Sequence, residues 1–459
     1  MKLLNSRQLY YSSETAAYQE KRTEHKIWMF LISSLLIVAS VCYAQIRGSA
    51  PLLFVTLFLF LIVSIWASVS GCALAVLLFF LPWSPLLKLE LGGISFFTVS
   101  MFICSLIALV QNGFQVCRYQ VLLTASILLI SLIAKIVHGN GITNSFIFFF
   151  IMLALFPCLS AGKHEYDFLE LTLFFALGII TAALSAQQVV RLGNISKYIK
   201  VDSYLTITRL SGYYGDPNFY SAHISACLAG TQILLITEQR KVRRIAMIII
   251  ALALIYCGLL SASKTFVIVF ACLFFFWILI ALEHGNRWGS RFRLLIGIIG
   301  AAMIVLLSPR FQDLLCILND RFSYNANLSQ ITTGRTDLWL RYVDAFRNDP
   351  WLMLLGEGFS AVNVGGAASH NSVIQGVYQF GIVGFPLLII WSVLNIRSVY
   401  ENTEDIRIPW KYIILMFIGV GLPWMSLDIL FFDEFFLLPV YAIIGGMSVL
   451  PDTVSSSPE

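Results

Sequence analysis

The sequence predicts an all-α polytopic membrane protein with about 12–14 transmembrane helices and a long extracytoplasmic loop before its last spans. Three observations predict it. Of the 459 residues, 58% are apolar and only 12% are charged, about half the charged fraction of an ordinary soluble domain, and the mean hydropathy is +0.82. The apolar residues come in runs of roughly 20, the length that carries a helix across the hydrocarbon core. Lys and Arg fall between the runs and favour alternate connections. Such a chain is not an ordinary soluble enzyme, a disordered polymer or a nucleic-acid binder, and its formal charge of +5 is no footprint for DNA.

Residues 1–26 are polar and carry Lys2, Arg7, Lys21, Arg22 and Lys26. The apolar run that follows continues to full membrane length, so this stretch reads as a cytoplasmic tail and not as a cleaved signal peptide. Spans are predicted near 27–46, 93–111, 119–137, 142–160, 166–187, 218–236, 245–261, 264–283, 293–308, 371–395, 411–428 and 433–450. The run from Pro51 to Leu87 is too long for one helix, and Ser68-Val-Ser-Gly71 in its middle divides it into spans near 50–67 and 70–87. With the N-terminus inside, seventeen Lys/Arg lie on the cytoplasmic side against four in the short outer connections, as the positive-inside rule requires. Without the extra hairpin span, every later loop inverts and the Arg240–Arg244 cluster falls outside. Residues 27–450 thus form one transmembrane domain with extracytoplasmic loops at about 188–217 and 309–370, and 451–459 form a short cytoplasmic tail. The nine cysteines show no CxxC spacing and lie almost all in apolar runs, which marks them as small core residues. Only Cys316 falls in a long polar loop.

Chemistry is expected at the outer rim. The spans carry almost no ionisable residues, whereas the two long loops hold nine Arg/Lys. A loop of that length among short connections is more often functional than filler. The first loop ends Arg209-Leu-Ser-Gly-Tyr-Tyr-Gly-Asp-Pro-Asn218; Pro217 and Asn218 punctuate a helix start, and Arg209 either belongs to a turn and cap or faces an anion at the membrane surface. The second contains Gly334-Arg-Thr-Asp-Leu-Trp339, opening an amphipathic helix of about 336–348 with Trp339, Tyr342, Val343 and Phe346 on its apolar stripe. Asp349-Pro350 stops it. Such a helix lies on the membrane surface or packs on the bundle, and Arg335 at its start is either a solvated charge or a ligand. Gly356, Gly358, Gly365 and Gly366 form no nucleotide loop, because no GK[ST] follows. His370, beside this Gly-rich stretch, is either a satisfied structural histidine or a proton acceptor, since imidazole titrates near neutrality. No metal-ligand spacing is present, and no cofactor is implied. Asp428, Asp433 and Glu434 read as turn residues of the last hairpin in preference to site carboxylates.

These residues resemble the superfamily of O-antigen ligases and Wzy-type polysaccharide polymerases, bacterial membrane glycosyltransferases. Four features carry the resemblance: Arg209 with Gly212 and Pro217-Asn218 before a span; Ser261-Ala-Ser-Lys264 at an outer turn, where the family usually has Ser-Arg; Gly334-Arg335-x-x-x-Trp339; and His370-Asn371 followed by Gly381-x-x-Gly384. It covers roughly residues 200–395; the N-terminal half matches only as a string of spans.

The resemblance implies a metal-independent transfer of glycan from undecaprenyl diphosphate to an acceptor glycan, on the outer side of the bacterial cytoplasmic (inner) membrane. It casts His370 as proton acceptor and Arg209 and Arg335 as holders of the diphosphate, a task suited to the planar two-toothed guanidinium. Lys264 would help as a point charge. Asn371, Asn218 and Trp339 would bind or position substrate, and Glu357 is an alternative proton acceptor. The expected partners are the lipid-linked glycan, the acceptor, membrane lipids and other polysaccharide export proteins. Polymerisation of repeat units of a surface polysaccharide, O-antigen or capsule, is the leading expectation; ligation of a finished lipopolysaccharide chain to lipid A-core is the alternative. A flippase of the same lipid-linked substrate would need ionisable residues inside the bundle and two similar halves, and a non-catalytic scaffold would leave the outer Arg and His dispensable.

Overall fold

The computed structural model describes residues 2–90, 95–113, 118–162, 166–199, 202–204, 207–284, 334–360, 363–401 and 410–447, with isolated positions between 307 and 316. The chain is an all-α polytopic membrane protein. Ten helices come first: α1 (Lys2–Arg47), α2 (Ala50–Val69), α3 (Ala73–Phe80), α4 (Phe96–Asn112), α5 (Arg118–Val137), α6 (Asn144–Ser160), α7 (Phe168–Val189), α8 (Pro217–Thr237), α9 (Lys241–Ser261) and α10 (Lys264–His284). After the segment outside the described residues come α11 (Arg335–Asn348), α12 (Pro350–Leu355), α13 (Ser372–Glu401), α14 (Trp410–Trp424) and α15 (Glu434–Met447). Among the described residues eight helices are long and apolar enough to cross a membrane, and five shorter apolar ones accompany them. These thirteen coincide with the expected spans; the fourteenth, near 293–308, and the tail 451–459 lie outside the described residues.

The hairpin at 50–87 is present. Gly71 has φ +73°, a conformation open to glycine at little cost, and it turns the chain between α2 and α3. The N-terminal tail is helical: α1 is continuous from Lys2, so residues 2–26 extend the first span as helix. The loop at 188–217 is also more ordered than its composition suggests. It holds a 3-10 turn, Gly193–Tyr198, and a two-stranded hairpin of β1 (Asp202–Tyr204) and β2 (Ile207–Arg209), with Asp202 opposite Arg209. These are the only strands among the described residues.

Helix α8 is the hub, packed on α7, α9, α10 and α14. Of its apolar stretch 89% is buried, against 22% for α5 and for α10, which places α8 at the centre and those two at the lipid-facing rim. Lipid tails are as apolar as leucine, so helices associate through close packing at small residues and through polar contacts. Gly178 of α7 is such a place: a Cβ there would lie 2.1 Å from the Phe79 carbonyl oxygen of α3. At Gly381 (φ +66°) α13 is broken, and the carbonyl of Leu354 at the end of α12 occupies the space a side chain would need.

Candidate functional site

The site is built where loops meet at one end of the bundle. Arg209 closes β2; its Nε–H donates to the Ser261 carbonyl at 3.3 Å, and the next amide, Leu210, donates to the Leu260 carbonyl at 2.9 Å. The first long loop is thereby fixed to the turn between α9 and α10. Asp216 caps α8 by accepting from the Asn218 amide at 2.7 Å. The Asn218 side-chain oxygen accepts from Ser263 Oγ at 2.8 Å, and Ser263 in turn accepts from the Phe266 amide in the first turn of α10. Lys264 begins that helix, half-buried beside this network.

A second cluster centres on Asp428, in the turn between α14 and α15. Its carboxylate is 7% exposed and lies 3.5 Å from His370 Nδ1. It accepts from Ser369 Oγ at 2.8 Å and from the backbone amides of His370 and Asn371 at 2.9 and 3.2 Å. His370 holds a left-handed φ of +51°, costly for a residue with a Cβ, and the carboxylate gathering two consecutive amides is what holds it there. At 3.5 Å the contact with Nδ1 is electrostatic and not a full hydrogen bond. It favours the proton on Nδ1 and leaves Nε2 as the basic nitrogen. The His370 ring is 44% exposed and lines a cleft of about 400 Å³ together with Asp428, Asn363, Phe219, Phe431 and Phe432.

The remaining expected residues surround His370. Asn371 caps α13: its side-chain oxygen accepts from the amides of Val373 and Ile374 at 2.9 and 3.2 Å, and its amide group donates to the Met425 carbonyl at 3.3 Å. The Trp339 indole N–H donates to the Ser369 carbonyl at 3.0 Å. Tyr342 is buried, and its hydroxyl donates to the Ala367 carbonyl at 2.9 Å. The amphipathic helix therefore packs on the bundle and braces the His370 segment. Arg335 is half-buried at its first position. Burial pushes the guanidinium pKa down, opposed by the charges of Asp216 and Asp428. Those two carboxylates belong to the two clusters, so Arg335 joins them electrostatically. Thr265 and Ser426 join them a second time, hydroxyl to hydroxyl at 2.9 Å.

Three results depart from expectation. Asp428 is no mere turn residue; it organises the His370 segment. Glu357 accepts from Asn140 Nδ2, faces the Lys135 charge, and belongs to a clamp tying the segment after α12 to the α5–α6 loop. It does not line the His370 cleft. The rim of the bundle also holds a buried hydrogen-bonded pair, His223 Nε2 and Glu434 Oε1 at 2.8 Å, with side chains 0% and 1% exposed. The signal for the carboxylates was three acids within seven positions, 428–434, in a chain otherwise poor in charge.

Next to Glu434, Asp433 accepts from Thr98 Oγ1 at 3.1–3.2 Å.

No protein-family model matches this sequence, and no curated protein matches it.

Proposed function

We propose that this chain is a glycosyltransferase of the bacterial cytoplasmic membrane. It moves a glycan from undecaprenyl diphosphate to an acceptor sugar on the extracytoplasmic side, polymerising the repeat units of a surface polysaccharide. One observation carries the reading: segments far apart in sequence, carrying Arg209, Arg335 and His370, are drawn to one end of the bundle, where His370 and Asp428 line a cleft and Arg335 lies within reach of the Asp428 charge. There the imidazole is oriented by a buried carboxylate and the second arginine is shared between Asp216 and Asp428.

The chemistry follows from those groups. The diphosphate leaving group develops charge as the anomeric bond breaks, and positioned guanidinium groups stabilise developing charge best in a poorly hydrated site. His370 Nε2 accepts the proton of the attacking hydroxyl, while Asp428 stabilises the imidazolium that forms. Asn371 and Trp339 hold the His370 segment in place.

The test is the length of glycan on the carrier lipid in cells whose only copy carries His370→Ala. Single repeat units accumulating on the outer face are expected. Long chains stranded on the lipid would mean that the enzyme is a ligase. Failure to deliver the lipid-linked unit to the outer face would mean transport, and a normal distribution would remove His370 from the mechanism.

A further inference from the structure

A second cavity, of about 510 Å³, adjoins the His370 cleft, and Ser145, Phe359, Phe431 and Phe432 line both. Nothing in the chemistry above uses it. Its polar wall holds Lys88, Thr98, Asn144, Tyr214, Asp433 and Glu434. Both carboxylates are held in place, Glu434 by His223 at 2.8 Å and Asp433 by Thr98. Much of the remaining lining is phenyl, with Phe149 stacked on Phe359 at 4.0 Å between centroids.

The composition of this wall selects its occupant. A polyprenyl chain would take water from two carboxylates and a lysine and offer them no polar contact in return, which is costly for buried polar groups. A phosphate would meet two carboxylates against one lysine. A sugar suits both the polar and the phenyl lining: its hydroxyls donate to carboxylate oxygens, its oxygens accept from Lys88 and Asn144, and its C–H faces lie against phenyl rings. We infer that this cavity is the acceptor subsite, binding the sugar that carries the attacking hydroxyl, with the shared Phe359–Phe431–Phe432 boundary leading that hydroxyl into the His370 cleft. The inference rests on the glycosyltransferase reading. In the step it serves, the acceptor oxygen bonds to the anomeric carbon and the carbon–oxygen bond to the diphosphate breaks. The leaving diphosphate keeps that electron pair, and the hydroxyl proton passes to His370.

The test uses the full chain in lipid nanodiscs with the undecaprenyl-diphosphate-linked repeat unit purified from its own cells. Two products are measured: free glycan released to water, and glycan joined to a second unit. Thr98→Trp fills the cavity, and Asp433→Asn removes an accepting charge without changing shape. Each is expected to lower the ratio of transfer to hydrolysis, by about tenfold to a hundredfold for the loss of one charge-assisted contact, with a raised KM for the acceptor in the Asn variant. His370→Ala is expected to remove both products. An unchanged ratio in Asp433→Asn, whether both rates stay or fall in step, overturns the acceptor subsite and leaves the enzyme reading standing. Absence of transfer by the wild-type protein overturns both.

Discussion

Replacing Asp428 with alanine is expected to abolish glycan transfer and to lower the melting temperature of the purified protein. The carboxylate is buried and accepts from Ser369 Oγ and from the amides of His370 and Asn371. Each buried donor left without an acceptor costs about 1–3 kcal/mol, and His370 loses what holds it at φ +51°. Removal of one partner from a buried charged network typically costs on the order of 3–5 kcal/mol, and that range is expected here. Asp428→Asn keeps the shape and one accepting oxygen but turns an amide donor toward donors. It is expected to cost less stability than alanine, while transfer still falls because the imidazolium loses its counter-charge. Thermal unfolding and transfer rate check both variants together. Wild-type stability in Asp428→Ala would show that the turn does not depend on this carboxylate.

Asp428 also shows where the sequence stops being legible. Fourteen runs of apolar residues reveal the spans because a helix must satisfy its own backbone in lipid, and thirteen of the runs are helices here. The Gly71 turn was readable because the run 51–87 exceeds one membrane thickness. Pairings between loops have no such local signature. Asp428 meets His370 across 58 positions and Glu434 meets His223 across 211, distances that no periodicity spans. Residue type misleads in the same way. Asn, Ser and Asp cap helices and also bind sugars, and Asn371 spends its polar side-chain atoms on a cap and on the Met425 carbonyl. Glu357 looked like a free carboxylate beside glycines and is tied to Asn140. The motifs carrying Arg209, Arg335 and His370 were visible one by one; the acids whose charges act on Arg335 and His370, Asp216 and Asp428, were visible only as turn chemistry.

Arg335→Ala is expected to reduce the rate of transfer on the order of 10²–10³-fold, the usual cost of removing one preorganised donor to a developing negative charge. The guanidinium is half-buried, and its positive charge is supported by Asp216 and Asp428. Without it Asp216 and Asp428 lose the guanidinium charge between them, and an arriving diphosphate meets more negative charge than it does now. The loss therefore has two parts, a missing donor and an unmasked repulsion, and they separate experimentally. Arg335→Lys restores the charge without the planar fork, so it is expected to recover part of the rate and to leave a residual defect from two-toothed binding. Asp216→Asn combined with Arg335→Ala relieves repulsion alone and is expected to recover less than the lysine variant. The measurement is kcat/KM for the lipid-linked donor across this set at several salt concentrations, with the alanine variant showing the weakest salt dependence, because screening weakens charge–charge attraction. If alanine matches wild type, the diphosphate is held elsewhere; if lysine matches wild type, Arg335 acts as a point charge and its fork is unused.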